Sequence, residues 1–310
     1  MKLMKGKVMN SNDVKEFCKS IGIECVGVAG VGPYYDLERI IKHRLNNGYF
    51  TGMEEPIIEK RINPKATMEN AKSIIVCAFP YYIKNEENSN LSKYCYGKDY
   101  HIVVKEKLES IAEYIGSKLE KFEYMVFSDN GPLVDRYLAS ISGVGYYGIN
   151  NNIITDKYGS YVFIGYIINN YEFTPDNPID KTCIKCGKCI TSCPGNAILG
   201  NFEINPKRCV SYLTQKKEDL NEEEINILKS NNKVFGCDIC QDVCPHNKNI
   251  DKTNIEEFYK DLMFNIDEDE INNISNKEFK RKYREKAFSW RGRKIIERNL
   301  NILKDKSSDQ

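Results

Sequence analysis

The chain has 310 residues, 41% of them hydrophobic, and its 45 Lys or Arg against 44 Asp or Glu give a formal net charge of +1. That is enough apolar material for one large domain with a smaller one, and too little net charge to predict a polyanionic partner by itself. No apolar run approaches the roughly 18 residues of a membrane span, and the lysine-bearing start has no apolar stretch behind it to make a secretory signal. A cytoplasmic protein is expected, in a compartment where its twelve cysteines stay reduced and free to bind metal.

In chain order, residues 11–21 read as a short capped helix and 25–31 as a buried strand. Leu37, Ile40, Ile41 and Leu45 recur at helical spacing and are expected on one face. The run SIIVCAF (73–79) reads as a second buried strand ended by Pro80, 102–119 as an amphipathic helix and 124–127 as a third strand. Pro132 suits the first position of a helix running to 141, where its missing N–H would have no partner anyway. Residues 153–155 and 161–168 are expected to pair as a hairpin around 156–159. Strands and helices thus alternate over 1–180, which reads as an α/β (α+β) sheet domain. Residues 181–248 read as a loop-rich, ferredoxin-like domain, with Asn221 and the three Glu after it opening one helix inside it. Residues 249–310 are expected to be mainly helical, polar and basic.

Cysteine spacing carries the strongest signal. Cys183, Cys186, Cys189, Cys193 and Pro194 spell C-x2-C-x2-C-x3-C-P, the bacterial ferredoxin run, whose first three thiolates surround one cluster while the fourth reaches a second. A partial copy follows at Cys237, Cys240, Cys244 and Pro245, and Cys209 is the remaining candidate for its absent leading cysteine. Cys183, Cys186, Cys189 and Cys244 would then hold one 4Fe–4S cluster, and Cys193, Cys209, Cys237 and Cys240 the other. Cys18, Cys25, Cys77 and Cys95 stay outside. A disulfide framework suits a short secreted chain, and structural zinc gives no reason for three successive x2 spacings followed by x3-C-P.

Charge distribution adds a second signal. Residues 277–298 hold ten Lys or Arg against three Glu, so the rest of the chain is net negative by six. A basic patch on an acidic background is the footprint of nucleic-acid binding, or else a solvated helical face.

Other motifs mislead. Gly143, Gly145 and Gly148 spell G-x-G-x-x-G, but a helix precedes them and a strand follows, the reverse of the dinucleotide fingerprint. Asp99-Tyr100-His101 begins like the Asp-x-His-x-x-Gly loop that ligates cobalamin through histidine, yet Val104 stands at the glycine position. Only His43, His101 and His246 are available, so histidine chemistry has few candidates.

Two clusters are a wire rather than a reaction, and they imply a second redox centre in the N-terminal domain. The segments KRINP (60–64), SKYCYGKDYH (92–101), SDNGPLVDR (128–136), GVGYYGIN (143–150), GSYVFIG (159–165), CVSYLT (209–214) and GCDICQDVCPHN (236–247) resemble, in order and spacing, the epoxyqueuosine reductase family. The resemblance implies a cobalamin without a histidine ligand beside two 4Fe–4S clusters, and two-electron reduction of epoxyqueuosine to queuosine in tRNA. It implies Asp129 as the proton donor, which requires a carboxyl that keeps its proton near neutral pH. It places Arg61, Ser92, Ser211 and Asp238 with Asp129 around the cobalamin. Arg136, Arg291, Arg293, Lys294 and Arg298 would contact tRNA.

Two departures stand out. Ile149 occupies the place of a family lysine and Tyr166 that of a family glutamate, both expected near the substrate pocket. The C-terminal extension is expected to be too short for the helical-repeat domain of some members. A reductive dehalogenase-like enzyme and a non-catalytic iron–sulfur carrier are the competing readings. Partners are expected to be tRNA and a low-potential electron donor of unknown identity, with no membrane and a monomeric chain.

Overall fold

A computed structural model describes residues 9–308, with side chains through 304. The opening residues 1–8, part of the stretch read as lacking an export signal, lie outside the described residues. The N-terminal helices are α1 (Ser11–Ser20), α2 (Tyr35–Asn46), α3 (Ile58–Ile62), α4 (Tyr100–Gly116) and α5 (Asp135–Ile141). The strands there are β1 (Cys25–Gly30), β2 (Ser73–Pro80), β3 (Tyr124–Ser128), β4 (Tyr146–Tyr147), β5 (Ile153–Ile154) and β6 (Val162–Asn169).

Four strands make one sheet in the order β1-β2-β6-β3, antiparallel throughout. Its centre is β2, buried at all eight positions. The two-residue period of a strand sends Ile75, Cys77 and Phe79 to one layer, with Val14 and Cys18 of α1 and Val104, Leu108 and Ile111 of α4. It sends Ile74, Val76 and Ala78 to the other, with Leu138 and Ala139 of α5 and Ile153. Each buried Ile, Val or Phe contributes about 1.5–3 kcal/mol, and a strand covered on both faces has to be apolar at nearly every position.

Three sequence expectations are corrected here. Residues 153–155 and 161–168 do not form a hairpin: β5 pairs with β4, β6 pairs with β2 and β3, and only Thr155 bridges Gly159 across the expected turn. The segment 161–168 is apolar enough to be interior and is taken by the main sheet. Pro132 is not the first helical residue, because α5 begins at Asp135 after a loop. On α2 only Leu37 and Ile41 are buried, while Ile40 is 53% and Leu45 38% exposed. The covering cluster, which adds Ile62 of α3, is narrower than the apolar stripe.

The cysteine segment holds α6 (Lys188–Thr191), α7 (Val210–Leu213), α8 (Glu222–Lys229), α9 (Ile239–Asp242) and the hairpin β7 (Ile198–Gly200) with β8 (Glu203–Ile204). Asn221 caps α8 as expected, accepting from Glu224 N at 2.9 Å while the Glu224 carboxylate returns to Asn221 N. Helices α10 (Glu268–Asn273), α11 (Asn276–Lys282) and α12 (Arg293–Ser308) complete the chain. Phe279, Phe288 and Ile296 from this end pack with Leu91, Cys95 and Tyr96 and with Val234 and Phe235, clamping the joint between the sheet domain and the cysteine segment.

Candidate active site

The eight cysteines fall into the two expected sets. Cys183, Cys186, Cys189 and Cys244 line one cavity together with Ile149, Ile154 and His246. Cys209, Cys237 and Cys193, and after them Cys189 of the first set, bear electrostatically on Cys240. Among the described residues no group of three or more His, Cys, Asp or Glu is placed to hold a single metal ion. Cys18, Cys77 and Cys95 are buried in the apolar clusters, and Cys25 packs against one.

The second set is bolted directly to the N-terminal domain. Ser92 is fully buried, and a Cβ on Gly236 would fall 1.9 Å from its Oγ, so only glycine lets these chains approach. Next to it, Lys93 N donates to Asp238 Oδ2 at 2.9 Å and Lys93 Nζ to Asp242 Oδ1 at 2.6 Å. Tyr161 OH also donates to Asp242. These contacts leave Asp238 Oδ1 buried without a hydrogen-bond partner, and Ser128 Oγ, beside Asp129, is in the same condition. Buried polar atoms are nearly always partnered. Thr67, Tyr96, Asn231 and Arg291 also carry one unpartnered atom each, but Ser128 and Asp238 adjoin residues that the family resemblance places at the cobalamin, and there the two polar atoms fit an amide-bearing group. Ser211 offers its backbone N–H to Cys209.

Asp129 lies where β3 runs out. Asp129 and Asn130 take positive φ of 55° and 31°, a region that Asp and Asn tolerate best among non-glycine residues. Gly131 follows because a Cβ there would lie 2.2 Å from Tyr166 OH. The turn aims the carboxylate at the first turn of α4. Asp99 caps that helix, accepting from His101 N at 3.0 Å, and its Oδ1 also holds His101 Nδ1 at 2.8 Å. His101 Nε2 then faces Asp129 Oδ2 at 3.6 Å, and Tyr100 OH donates to the same oxygen. Tyr100 is itself stacked between His101 and Phe163, both with ring centroids 4.1 Å away.

Proton positions follow from these contacts. Desolvation opposes charge on Asp129, but hydrogen bonds from His101 and Tyr100 outweigh it and bring the carboxyl down to about 2. Desolvation likewise opposes charge on His101, yet Asp129 and Asp99 hold its proton up to about 9. Burial and then the Asp129 charge push the Tyr100 phenol well up, so it stays a donor. These contacts favour a carboxylate at Asp129 with the proton on His101, which differs from the expectation of a carboxyl that itself keeps the proton. Asp135, which sequence reasoning passed over, is pushed up to about 8 by desolvation and then by the Asp129 charge. Arg61 is half-buried, with Glu54, Asp135 and Glu55 as opposite charges.

The expected tRNA contacts divide. Arg136 and Lys294 are exposed, although Arg136 Nη1 donates to Asn151 O at 2.7 Å. Arg291 lies 3.7 Å from the ring centroid of Trp290, itself 51% exposed and anchored by Nε1 to Gln215 Oε1 at 3.0 Å. Arg293 and Arg298 differ from these, because their guanidinium groups donate to backbone carbonyls of the fold. Arg293 Nη1 donates to Ile271 O at 2.9 Å, and Arg298 donates to Lys216 O, Glu218 O and Leu213 O. Of the two departures, Ile149 is 8% exposed and packs with Cys183 and Cys189 of the first thiol set. Tyr166 is fully buried under the Asp129 turn, its OH accepting from Leu133 N at 3.1 Å.

Comparison with known proteins agrees with this geometry. Residues 182–247 match the 4Fe-4S double cluster binding domain, and residues 61–130 match the family described as Epoxyqueuosine reductase QueG, DUF1730. An epoxyqueuosine reductase of Bacillus anthracis is 39% identical over 298 residues, covering 93% of this chain and 78% of the relative. A crystal structure of selenomethionine-labelled epoxyqueuosine reductase superposes with a TM-score of 0.88 at 35% identity, covering 94% of this chain and 80% of that one. An epoxyqueuosine reductase bound to an epoxyqueuosine-modified tRNA-Tyr stem loop gives 0.86 at 34% identity, with the same coverage. A catabolic reductive dehalogenase shares the fold alone, at 14% identity and a TM-score of 0.52 over 79% of this chain and 32% of that one. No helix among the described residues is long and apolar enough to cross a membrane.

Proposed function

The chain belongs to the epoxyqueuosine reductase family of oxidoreductases, and on that premise we propose that it reduces epoxyqueuosine to queuosine in tRNA. The reaction consumes two electrons and two protons: both epoxide C–O bonds break, a carbon–carbon double bond forms and the oxygen leaves as water. Residues 1–180 carry the substrate and cobalamin site, 181–248 the two clusters and 249–310 the basic helical segment. The cofactors are two 4Fe–4S clusters, which the two thiol sets would hold, and a cobalamin, which Arg61, Ser92, Ser128, Asp129, Ser211 and Asp238 would hold. Bound there, the clusters relay single electrons and the cobalamin supplies low-potential reducing chemistry at carbon.

The chain's own residues manage the proton and the substrate. His101 stores a proton against Asp129, and Asp99 fixes the ring so that Nε2 points at that carboxylate. Asp129 passes the proton to the leaving oxygen while Tyr100 holds the carboxylate in place. Asp135 keeps a second proton at neutral pH. Arg136, Lys294 and the Arg291–Trp290 stack offer tRNA a cationic surface with an aromatic face, the combination that suits phosphate and unstacked bases. The convergence of Tyr100 and His101 on Asp129, in a chain that also groups eight cysteines into two fours, carries this reading.

The test is turnover. Anaerobically reconstituted protein, a chemical reductant and tRNA bearing the epoxide are combined, and the digested nucleosides are analysed. Queuosine should appear; persistence of the epoxide with both clusters loaded would refute the assignment.

A further inference from the structure

The reaction needs two electrons, and they have to reach the thiol sets from outside the chain. The two sets meet the surface differently. In the first, Cys186 is exposed while Cys183 and Cys189 are buried and Cys244 is intermediate; in the second, Cys193, Cys209, Cys237 and Cys240 are all intermediate and none is exposed. Beside Cys186, Ile184 is 61% exposed, and on the neighbouring hairpin Leu199 is 45% exposed. Residues 181–202 contain three lysines and no Asp or Glu. Lys181 pairs with Asp156 at 2.6 Å, but Lys185 and Lys188 are exposed and enter no ion pair among the described residues. Lys185 is held over the Phe202 ring, 5.6 Å from its centroid, which keeps its charge on this face. Near the second set Pro194, next to Cys193, borders an open groove of about 470 Å³ lined by Glu222 and Glu223; Glu223 pairs with Arg208 at 2.6 Å, while Glu222 is exposed and enters no ion pair among the described residues.

We propose that the face around Cys186, made by Ile184, Lys185, Lys188 and Leu199, docks a small acidic one-electron carrier protein. The proposal rests on the reductase reading above. An apolar centre with a basic rim is complementary to an acidic carrier, whereas the groove near Pro194 offers it only the unpaired Glu222 carboxylate and the Arg208–Glu223 pair. In each encounter the carrier is oxidised by one electron and the first cluster is reduced by one. Two encounters deliver the electron pair that, with two protons, turns the epoxide into an alkene and water. RNA is the less suitable occupant, because an exposed isoleucine and leucine offer its phosphates nothing.

The test uses reconstituted full-length protein, a bacterial two-cluster ferredoxin as carrier, and the double variant Lys185→Glu, Lys188→Glu. Isothermal titration at low salt should show ferredoxin affinity weakened at least about tenfold, with the iron content unchanged. Ferredoxin-driven turnover should fall by a similar factor while dithionite-driven turnover stays at the wild-type level. The Glu222→Lys, Glu223→Lys variant should bind ferredoxin no more weakly than wild type. Unchanged ferredoxin affinity in the lysine variant would overturn the proposal, as would loss of tRNA affinity in place of ferredoxin affinity. If dithionite fails to drive wild-type turnover, the reductase reading falls, while the titration still decides the docking face.

Discussion

The sheet domain and the cysteine segment are held together by different forces. In the sheet domain, β2 buries all eight of its residues between two apolar layers. In the cysteine segment the buried apolar groups are small clusters such as Val210, Leu213 and Ile227, and the cysteines themselves are part of what is packed. A region of that kind borrows its stability from bound metal, because binding free energy becomes folding free energy where no preformed core exists. The sheet domain, by contrast, should keep its fold and its proton site without metal, because its core is apolar on both faces of β2.

Removing iron anaerobically with a chelator is the harshest way to break this contrast. Hydrogen exchange should rise through residues 183–244 by orders of magnitude, with turnover abolished, while amides of β2 and β6 stay protected. Exchange rising equally in β2 would mean that the two regions do not differ as described.

Substitution in the sheet domain should sharpen the contrast from the other side. Asp129→Asn should lower turnover by about 10²–10⁴-fold, the usual weight of a positioned acid, with both clusters still visible in the absorption spectrum. Unchanged turnover would remove Asp129 from the reaction. His101→Gln should cost less and should also abolish an alkaline limb of the pH profile. In the wild type His101 holds its proton to about 9, so activity should decline as pH rises through that value. The same sign applies to stability: the His101 ion pair contributes fully below the ordinary imidazole value of 6.5 and is lost as pH passes about 9. A decline centred near 6.5 would contradict the Asp99–His101–Asp129 arrangement.

The smallest effects concern the basic segment. Lys294→Glu should weaken tRNA binding several-fold and flatten its salt dependence. Arg298→Ala should instead lower thermal stability, because its guanidinium ties α12 to three carbonyls of the cysteine segment. The reverse pattern, with Arg298 governing affinity, would undo this division.

The same contrast explains what could be read in the sequence. Metal ligands impose fixed spacings, so a double-cluster domain was legible in the cysteine run, and the spacing also suggested which four thiols to group, with Cys209 and Cys244 crossing between motifs. Strand periodicity located β1, β2, β3 and β6, but pairing is a long-range choice, and the expected 153–168 hairpin gave way to burial of β6 in the main sheet. Asp129 entered through family resemblance. Its working state did not, because a pKa depends on Tyr100 and His101, 29 and 28 positions away in the chain. The charge run at 277–298 was visible as charge, yet sequence cannot separate Lys294, facing solvent, from Arg298, committed to carbonyls. The one available signal for His101 was Asp99 two residues earlier, a cap that also points at the imidazole.

Electron counting tests the central claim most directly. Protein carrying both clusters and cobalamin is titrated anaerobically with a one-electron reductant in the presence of tRNA bearing the epoxide, and queuosine is quantified at each addition. The account predicts one queuosine for every two electrons consumed once the bound groups are reduced, with the Asp129→Asn variant taking up electrons but releasing almost no product. Full reduction of the wild-type protein with the epoxide left intact, or opened to a diol without electron uptake, would contradict it.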